Sequence, residues 1–347
     1  MKFIFCLVFS YFFLGLLSAQ TEIDLEGPIS YSSTTLKVSG KAYPWSKVHS
    51  LTENAFSIEN NLWLKMEKGP PEIKPELLEE LQKKKQALQK GGNKLERTNL
   101  AQWCKKNQLY SQQWELLVDV VCEDGWYRAA NNQLLDLTEH RFPKTVGIPP
   151  FEGLWEALVD TTKHHQEKCW ALWAIDFVKV DEQGRNFSGT GLKLTDHYSW
   201  GETIYAIADG TVTHADDHFP DFPVNKVGGY DEANFVMILH EGGESSSYGH
   251  LQQKSVLVKM GDLVKKGQAI GKAGNSGRSG IPHLHFAFAV AAYTNTGNSQ
   301  YISVPYLFEN FHASLRKETH KKKILMKRVR PQEGWILECP RPEMKKD

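Results

Sequence analysis

The chain has 347 residues, 41% hydrophobic and 24% charged, with 41 basic and 41 acidic side chains and a formal net charge of +0. This is the profile of a soluble globular protein with room for two domains or one large one. The neutral balance gives no overall pull toward nucleic acid or a membrane surface, and beyond the N-terminus no apolar run is long enough to span a bilayer.

Lys2 provides a positive start, residues 3–17 are almost wholly apolar, and Leu17-Ser18-Ala19-Gln20 offers small residues for cleavage. The pattern predicts a signal peptide over residues 1–19 and an exported mature protein, secreted or periplasmic. Cys6 lies inside the apolar stretch rather than after a cleavage site, which argues against a lipid anchor. Cys104, Cys122, Cys169 and Cys339 remain. An even count in an oxidising compartment permits disulfides, but the wide, irregular spacing resembles no zinc knot and suits buried thiols equally.

Residues 20–70 mix Ser, Thr and aromatics and yield no assignment. Residues 72–90, opening after Pro71 and closed by Gly91-Gly92, predict a solvated helix. Residues 99–104, 114–121 and 127–137 repeat apolar side chains three and four apart, so consecutive helices bury one stripe each against the next. The helical region is placed at 71–142, as a small bundle or one tetratricopeptide-like helix pair. Phe142-Pro143-Lys144 and Ile148-Pro149-Pro150 mark a boundary.

Beyond it come short β runs: 171–180, 203–208 and 211–214 around the hairpin signal Asp209-Gly210, then 235–240, 255–258, 269–271 and 283–290. A second hairpin is read over 261–271. Many short strands at close spacing predict an all-β antiparallel, barrel-like domain, so the fold class is α+β. Residues 309–347 form a basic tail, with Lys321-Lys322-Lys323 and Lys327-Arg328-Val329-Arg330, read as a solvated surface segment that could also meet an anionic polymer.

The chemistry concentrates in Ile281-Pro282-His283-Leu284-His285-Phe286. On a strand, residues two apart share a face, so His283 and His285 aim at one spot while Leu284 and Phe286 enter a core. Two imidazoles on one strand suit a metal site in which one binds the ion and the other handles a proton. Tyr248-Gly249-His250-Leu251 brings a third histidine. Trp173-Ala174-Ile175-Asp176-Phe177 embeds a carboxylate in an apolar strand, where it is costly to bury unless paired or bound to metal. A lone His-x-His is commonly a pair of ordinary histidines; the order of these blocks is what weakens that reading.

In order and spacing, Asp176, the 203–212 segment, Asn234 before a strand, Tyr248-Gly249-His250-Leu251, the 261–271 segment and His283-Leu284-His285 resemble the lysostaphin-type (LytM-type) zinc metallopeptidases. The resemblance runs over about 149–308. It implies a duplicated hybrid-motif domain that holds one Zn2+ per chain and hydrolyses amide bonds in peptidoglycan stem and cross-link peptides. It makes Asp176 and His285 zinc ligands and His250 and His283 the catalytic pair, with His283 as general base and His250 stabilising the oxyanion. The usual first histidine, four residues before the aspartate, is Leu172 here, and leucine cannot bind zinc. A divergent branch sets it further upstream, which selects His165, with His164 as the alternative. His218 and His240 are left outside the site. A degenerate domain that regulates other wall hydrolases is the runner-up, and a glycan-binding module with no chemistry the third reading. A protein partner is expected at the helical region.

Overall fold

A computed structural model describes residues 22–26, 29–31, 35–38, 41–44, 48–51, 55–58, 62–67, 75–88, 91–107, 109–138, 143–158, 164–294, 296–315, 323–326 and 329–340, with backbone alone for 22–67. The predicted signal peptide and most of the tail's lysines lie outside the described residues. Among the described residues no helix is long and apolar enough to cross a membrane.

Residues 20–70, unassigned from sequence, contain seven short strands: β1 (Glu22–Glu26), β2 (Ile29–Tyr31), β3 (Thr35–Val38), β4 (Lys41–Pro44), β5 (Val48–Leu51), β6 (Ala55–Ile58) and β7 (Leu62–Glu67). They make a three-stranded β2-β3-β4 sheet and a four-stranded sheet in the order β1-β7-β6-β5. Strands of three to six residues carry too few alternations to declare a period.

Four helices follow: α1 (Pro75–Ala87), α2 (Lys94–Lys106), α3 (Tyr110–Glu123) and α4 (Arg128–Thr138). Asn93 starts α2 through a reciprocal cap, its Oδ1 accepting from Glu96 N (3.0 Å) while Glu96 accepts from Asn93 N (2.8 Å). Leu117, Val120 and Val121 of α3 are fully buried with Ala101 and Cys104 of α2 and Ala130 and Leu134 of α4. The same cluster takes in Cys169, Leu172, Ala292 and Ile302, so the bundle shares its core with the β region.

That region contains β8 (Val146–Gly147), β9 (Gly153–Leu158), β10 (Ile175–Lys179), β11 (Thr203–Tyr205), β12 (Gly210–Asp216), β13 (Phe235–Leu239), β14 (Glu244–Gly249), β15 (Leu263–Val264), β16 (Ala269–Lys272), β17 (Leu284–Tyr293), β18 (Ser299–Ser303), β19 (Leu307–Phe308), β20 (Phe311–Leu315), β21 (Ile324–Met326) and β22 (Trp335–Cys339). An eleven-stranded sheet runs β15-β12-β13-β14-β17-β10-β9-β22-β20-β21, with β18 also paired to β17. Every pairing in it is antiparallel. The architecture is α+β: helices in the N-terminal part, then the large antiparallel sheet. Trp155, Phe151, Phe177, Phe286, Phe288, Tyr306, Phe308 and Trp335 fill its core, with Phe151 stacked on Trp155 at 4.5 Å.

Both predicted hairpins are wrong. β11 pairs with β16 and β12 with β15, so the two segments interlock instead of each folding back on itself. The reason lies between β11 and β12, where backbone groups are taken by other segments: Ala206 N donates to Gln268 O, and Ile207 O accepts from Ile148 N. Residues 255–258 form no strand, and the predicted 171–180 strand is regular only over Ile175–Lys179. Cys104, Cys122, Cys169 and Cys339 are free thiols, and Cys104, Cys169 and Cys339 are buried. The sheet does not end at Phe308: β22 pairs with β9, carrying the sheet into the segment read as a solvated tail.

His240 is buried, with its ring bonded to Asp209 O (2.8 Å) and Ser246 Oγ (2.9 Å). Burial holds its pKa below the ordinary value, against the opposing pull of the Asp209 carbonyl and the Glu244 charge. The unfolded chain therefore takes up a proton near pH 6.5 that the folded chain refuses, and stability falls as pH drops below that value. Urea midpoints at pH 7.5 and 5.5 should show the wild type losing more stability on acidification than His240→Gln; equal losses would refute the assignment.

Candidate active site

β10 and β17 set the centre of the site. Their antiparallel register places Asp176 directly opposite His285 and Phe177 opposite Leu284. Alternation then sends Leu284 and Phe286 into the core, both fully buried, and turns Asp176 and His285 to the other face. His285 Nδ1 lies 2.9 Å from Asp176 Oδ1. On its other side His285 faces Gly249 of β14, and the next residue, His250, leaves the strand with φ +58°. That left-handed backbone is uncommon for a residue with a Cβ and turns the ring back over the sheet. His250 comes within 4.7 Å of the His283 ring and 5.6 Å of the His285 ring, centre to centre.

His165 arrives on a short 3-10 turn, His164–Glu167. It is buried, its Nε2 is 3.5 Å from Asp176 Oδ2, and its ring centre is 4.8 Å from that of His285. Among the described residues, ligand atoms of His165, Asp176 and His285 all lie within 4.8 Å of one another. The structure thus brings together all five residues singled out from sequence. Leu172 is buried in the helical core, His240 lies apart on Ser246 and Asp209, and His218 is an exposed loop residue.

Hydrogen bonds define the ring states. A backbone carbonyl only accepts, so His250 Nδ1 carries the proton it donates to Ser276 O (2.7 Å), and His283 Nδ1 the one it donates to Ile281 O (2.8 Å). Ser279 Oγ also lies 3.0 Å from His283 Nδ1. Both rings therefore leave Nε2 for the cleft, and His283 Nε2 is 3.4 Å from Asp176 Oδ1. Burial, helped by His283 and His285, holds the pKa of His250 well below the ordinary value. Burial also opposes charge on His283, but the Asp176 carboxylate outweighs it and raises that pKa. Burial would raise the pKa of Asp176; the surrounding imidazoles, His283 and His165 foremost, hold it well below the carboxylate range.

The sequence reading placed Asn234 in the family-order blocks without a role and missed Asn131; both hold these side chains in place. Asn234 is fully buried: its Oδ1 accepts from Phe219 N (2.9 Å), its Nδ2 donates to Phe219 O (2.8 Å) and Leu251 O (3.1 Å), and its backbone N donates to Ser276 Oγ (3.0 Å). It ties the start of β13 to the His250-Leu251 corner. Asn131 of α4, also fully buried, donates to Gly125 O (3.0 Å) and Glu167 O (2.9 Å), fastening the His165 turn to the helical bundle. Cys169 N donates to the same Gly125 carbonyl (3.0 Å). A buried Asn inside a helix with an apolar stripe was the available signal for Asn131. A cleft of about 690 Å³ opens over the site, lined by the five residues together with Lys168, Trp170, Tyr230 and Arg278 among others.

Residues 190–300 match the sequence model of Peptidase family M23. The chain carries an M23 peptidase domain. The matched span takes in His250, His283 and His285 but neither Asp176 nor His165. Peptidoglycan DD-endopeptidase ShyC of Vibrio cholerae serotype O1 is 39% identical over 90 residues, 26% of this chain and 18% of that protein. DD-carboxypeptidase/endopeptidase Mpg of Neisseria meningitidis serogroup B is 30% identical over 130 residues, 38% of this chain and 27% of that one. The chain therefore spans well under half the length of these curated relatives. Among solved structures, a LytM-type putative glycyl-glycine endopeptidase from Ruminococcus gnavus aligns with a TM-score of 0.30 and 18% identity over 65% of this chain and 83% of that one. Lysostaphin from Staphylococcus simulans aligns with a TM-score of 0.24 and 22% identity over 46% and 48%.

Removing the Asn234 side chain takes hydrogen bonds from backbone groups on two segments, Phe219 N and O and Leu251 O. Asn234→Ala should lower unfolding free energy by about 2–4 kcal/mol, read from urea denaturation, since unsatisfied buried groups cost about 1–3 kcal/mol each. A change below about 0.5 kcal/mol, the level of an ordinary surface substitution, would refute this role.

Proposed function

We propose that this protein is a zinc metalloendopeptidase that hydrolyses amide bonds in the cross-link peptides of peptidoglycan, outside the cytoplasm. His165, Asp176 and His285 would hold the metal. The observation that carries the reading is the in-register Asp176–His285 pair with His165 brought against it from a separate turn. Two imidazoles and one carboxylate are the donor set that zinc favours, and three protein ligands leave room for a substrate or water. Bound there, the cation would act as a Lewis acid toward the scissile carbonyl and acidify an attacking water.

The rest falls to side chains already in position. His250 and His283 present Nε2 to the cleft, each anchored by an Nδ1–H bond to a carbonyl. A neutral imidazole so held takes a proton at Nε2, and once protonated donates it to an oxyanion or a leaving amine. The anchoring is alike for both rings, so the pair is proposed as a unit, with His283 as base and His250 as oxyanion donor. The partly apolar cleft fits an extended peptide. Peptidoglycan lies outside the cytoplasm, and the leader-like stretch at residues 3–17 supports export. Both curated relatives described above carry peptidase names, the first of them a peptidoglycan endopeptidase. A domain reduced to a regulator has no use for five converging site residues, and for that reason the enzymatic reading is preferred.

Purified protein should contain one zinc per chain and release peptide fragments from isolated cell walls, with activity lost on chelation and restored by zinc. His165→Ala should lose the metal. His283→Ala should keep it and lose about 10²–10⁴-fold in kcat, the usual worth of a positioned proton-transfer group. Retention of full zinc by His165→Ala, or an unreleased wall digest with zinc-replete wild type, would overturn the proposal. Asn131→Ala, which frees the His165 turn without touching the metal, should weaken zinc binding about 10–100-fold in a chelator competition.

A further inference from the structure

One wall of the cleft carries positive charge that no carboxylate among the described residues answers. Lys168 is 5% exposed, yet among the described residues no carboxylate lies within ion-pairing distance of it or of Arg278. Its ammonium instead lies 3.8 Å from the Tyr230 ring centre and 5.2 Å from that of Trp126. The Arg278 guanidinium sits 4.8 Å from the Tyr230 ring. Cation–π contact is worth about 0.5–2 kcal/mol, well short of what a mostly buried ammonium gives up in hydration. Glu232, close by in the chain, turns away to accept from Gly229 N (2.5 Å).

The arrangement is held from outside the M23 span. Trp126, in the turn between α3 and α4, meets Trp170 and Tyr230 edge-on, each at 5.5 Å. A Cβ on the neighbouring Gly125 would fall 2.7 Å from the Trp170 ring, so only glycine allows the helical turn so close. Lys168, Tyr230 and Arg278 line the same cleft as His165, Asp176 and His283.

We propose that Lys168 and Arg278, arrayed about Tyr230, form a subsite that binds a free carboxylate of the substrate peptide beside the scissile amide. This rests on the peptidase reading for its substrate, but the subsite itself is defined by charge. An incoming carboxylate supplies a counter-ion that Lys168 does not find among the described residues, in a setting partly removed from water where charge-assisted hydrogen bonds are strong. Trp126 and Tyr230 fix where the ammonium can sit. The helical bundle thereby contributes to substrate choice through the wall it braces.

The test uses the full chain and one amine-acetylated cross-linked wall peptide in two forms, native and with its carboxylates amidated. Binding is followed by tryptophan fluorescence and cleavage by kcat/KM. The wild type should favour the carboxylate form by about tenfold in both measurements, weakening with salt. Lys168→Met keeps the hydrocarbon stem and should shrink the ratio between the two forms to below about twofold, with Arg278→Gln, at an exposed position, reducing it by about threefold. Equal wild-type affinity for both forms, or variants that weaken both forms alike and leave the ratio unchanged, would overturn the subsite; the second result is what a purely structural role predicts. If the wild type binds the carboxylate form selectively and cleaves neither, the subsite stands and the peptidase reading falls.

Discussion

The site depends on one strand register. Asp176 and His285 are useful to each other because β10 and β17 set them directly opposite on the same face. A slip of one residue would exchange them for Phe177 and Leu284, sending the charged pair into the core and two apolar side chains into the cleft. The opposite face resists that slip strongly. Phe177, Leu284 and Phe286 are fully buried, and Phe286 packs edge-on against Tyr248 and Tyr306 at 5.5 and 4.8 Å. Apolar burial on one face therefore holds the geometry of the polar groups on the other. At about 25 cal/mol per Å², those rings contribute several kcal/mol each to maintaining the register.

A second constraint comes from the helical bundle, which the sequence presents as a separate region. It shares a core with β17 and β18 through Ala292 and Ile302 and grips the His165 turn through Asn131. Leu172, four residues before Asp176, is buried in that same core. The two facts belong together. Where a helical bundle packs against residues 169–172, that segment is committed to apolar contact. The imidazole that joins Asp176 and His285 comes instead from the turn before it, on the side the bundle leaves facing the cleft.

Much of this was legible in the sequence, for reasons that differ by element. α2, α3 and α4 declared themselves because each is long enough, at eleven to fourteen residues, to repeat its apolar stripe, and α1 by its start after Pro71 and its stop at Gly91-Gly92. His283 and His285 were readable because period-two alternation places them on one face without any tertiary information. Asp176 stood out as a charge in an apolar run. The strand partners were not readable: Asp209-Gly210 is a good turn, but turn chemistry says nothing about whether the flanking strands pair with each other or with distant ones. The choice of His165 over His164 had only strand alternation behind it, and the turn that carries both residues is not a strand.

The five site residues would be a poor way to stabilise a fold by themselves. Four imidazoles crowd one carboxylate, each losing hydration, and His250 adds an unusual positive φ at +58° that costs of order 1–3 kcal/mol. What offsets these costs is local and specific: the Ser276 and Ile281 carbonyls take the Nδ1 protons, Ser279 seats His283, and Asn234 bolts the His250 corner to β13. None of these bonds is needed to close the hydrophobic core, which the aromatic face already completes. They align Nε2 atoms toward a common point. A scaffold that tolerates strain and buried polarity at one place, and surrounds it with hydrogen bonds whose common effect is to orient rings, has the signature of a site built for chemistry rather than for stability.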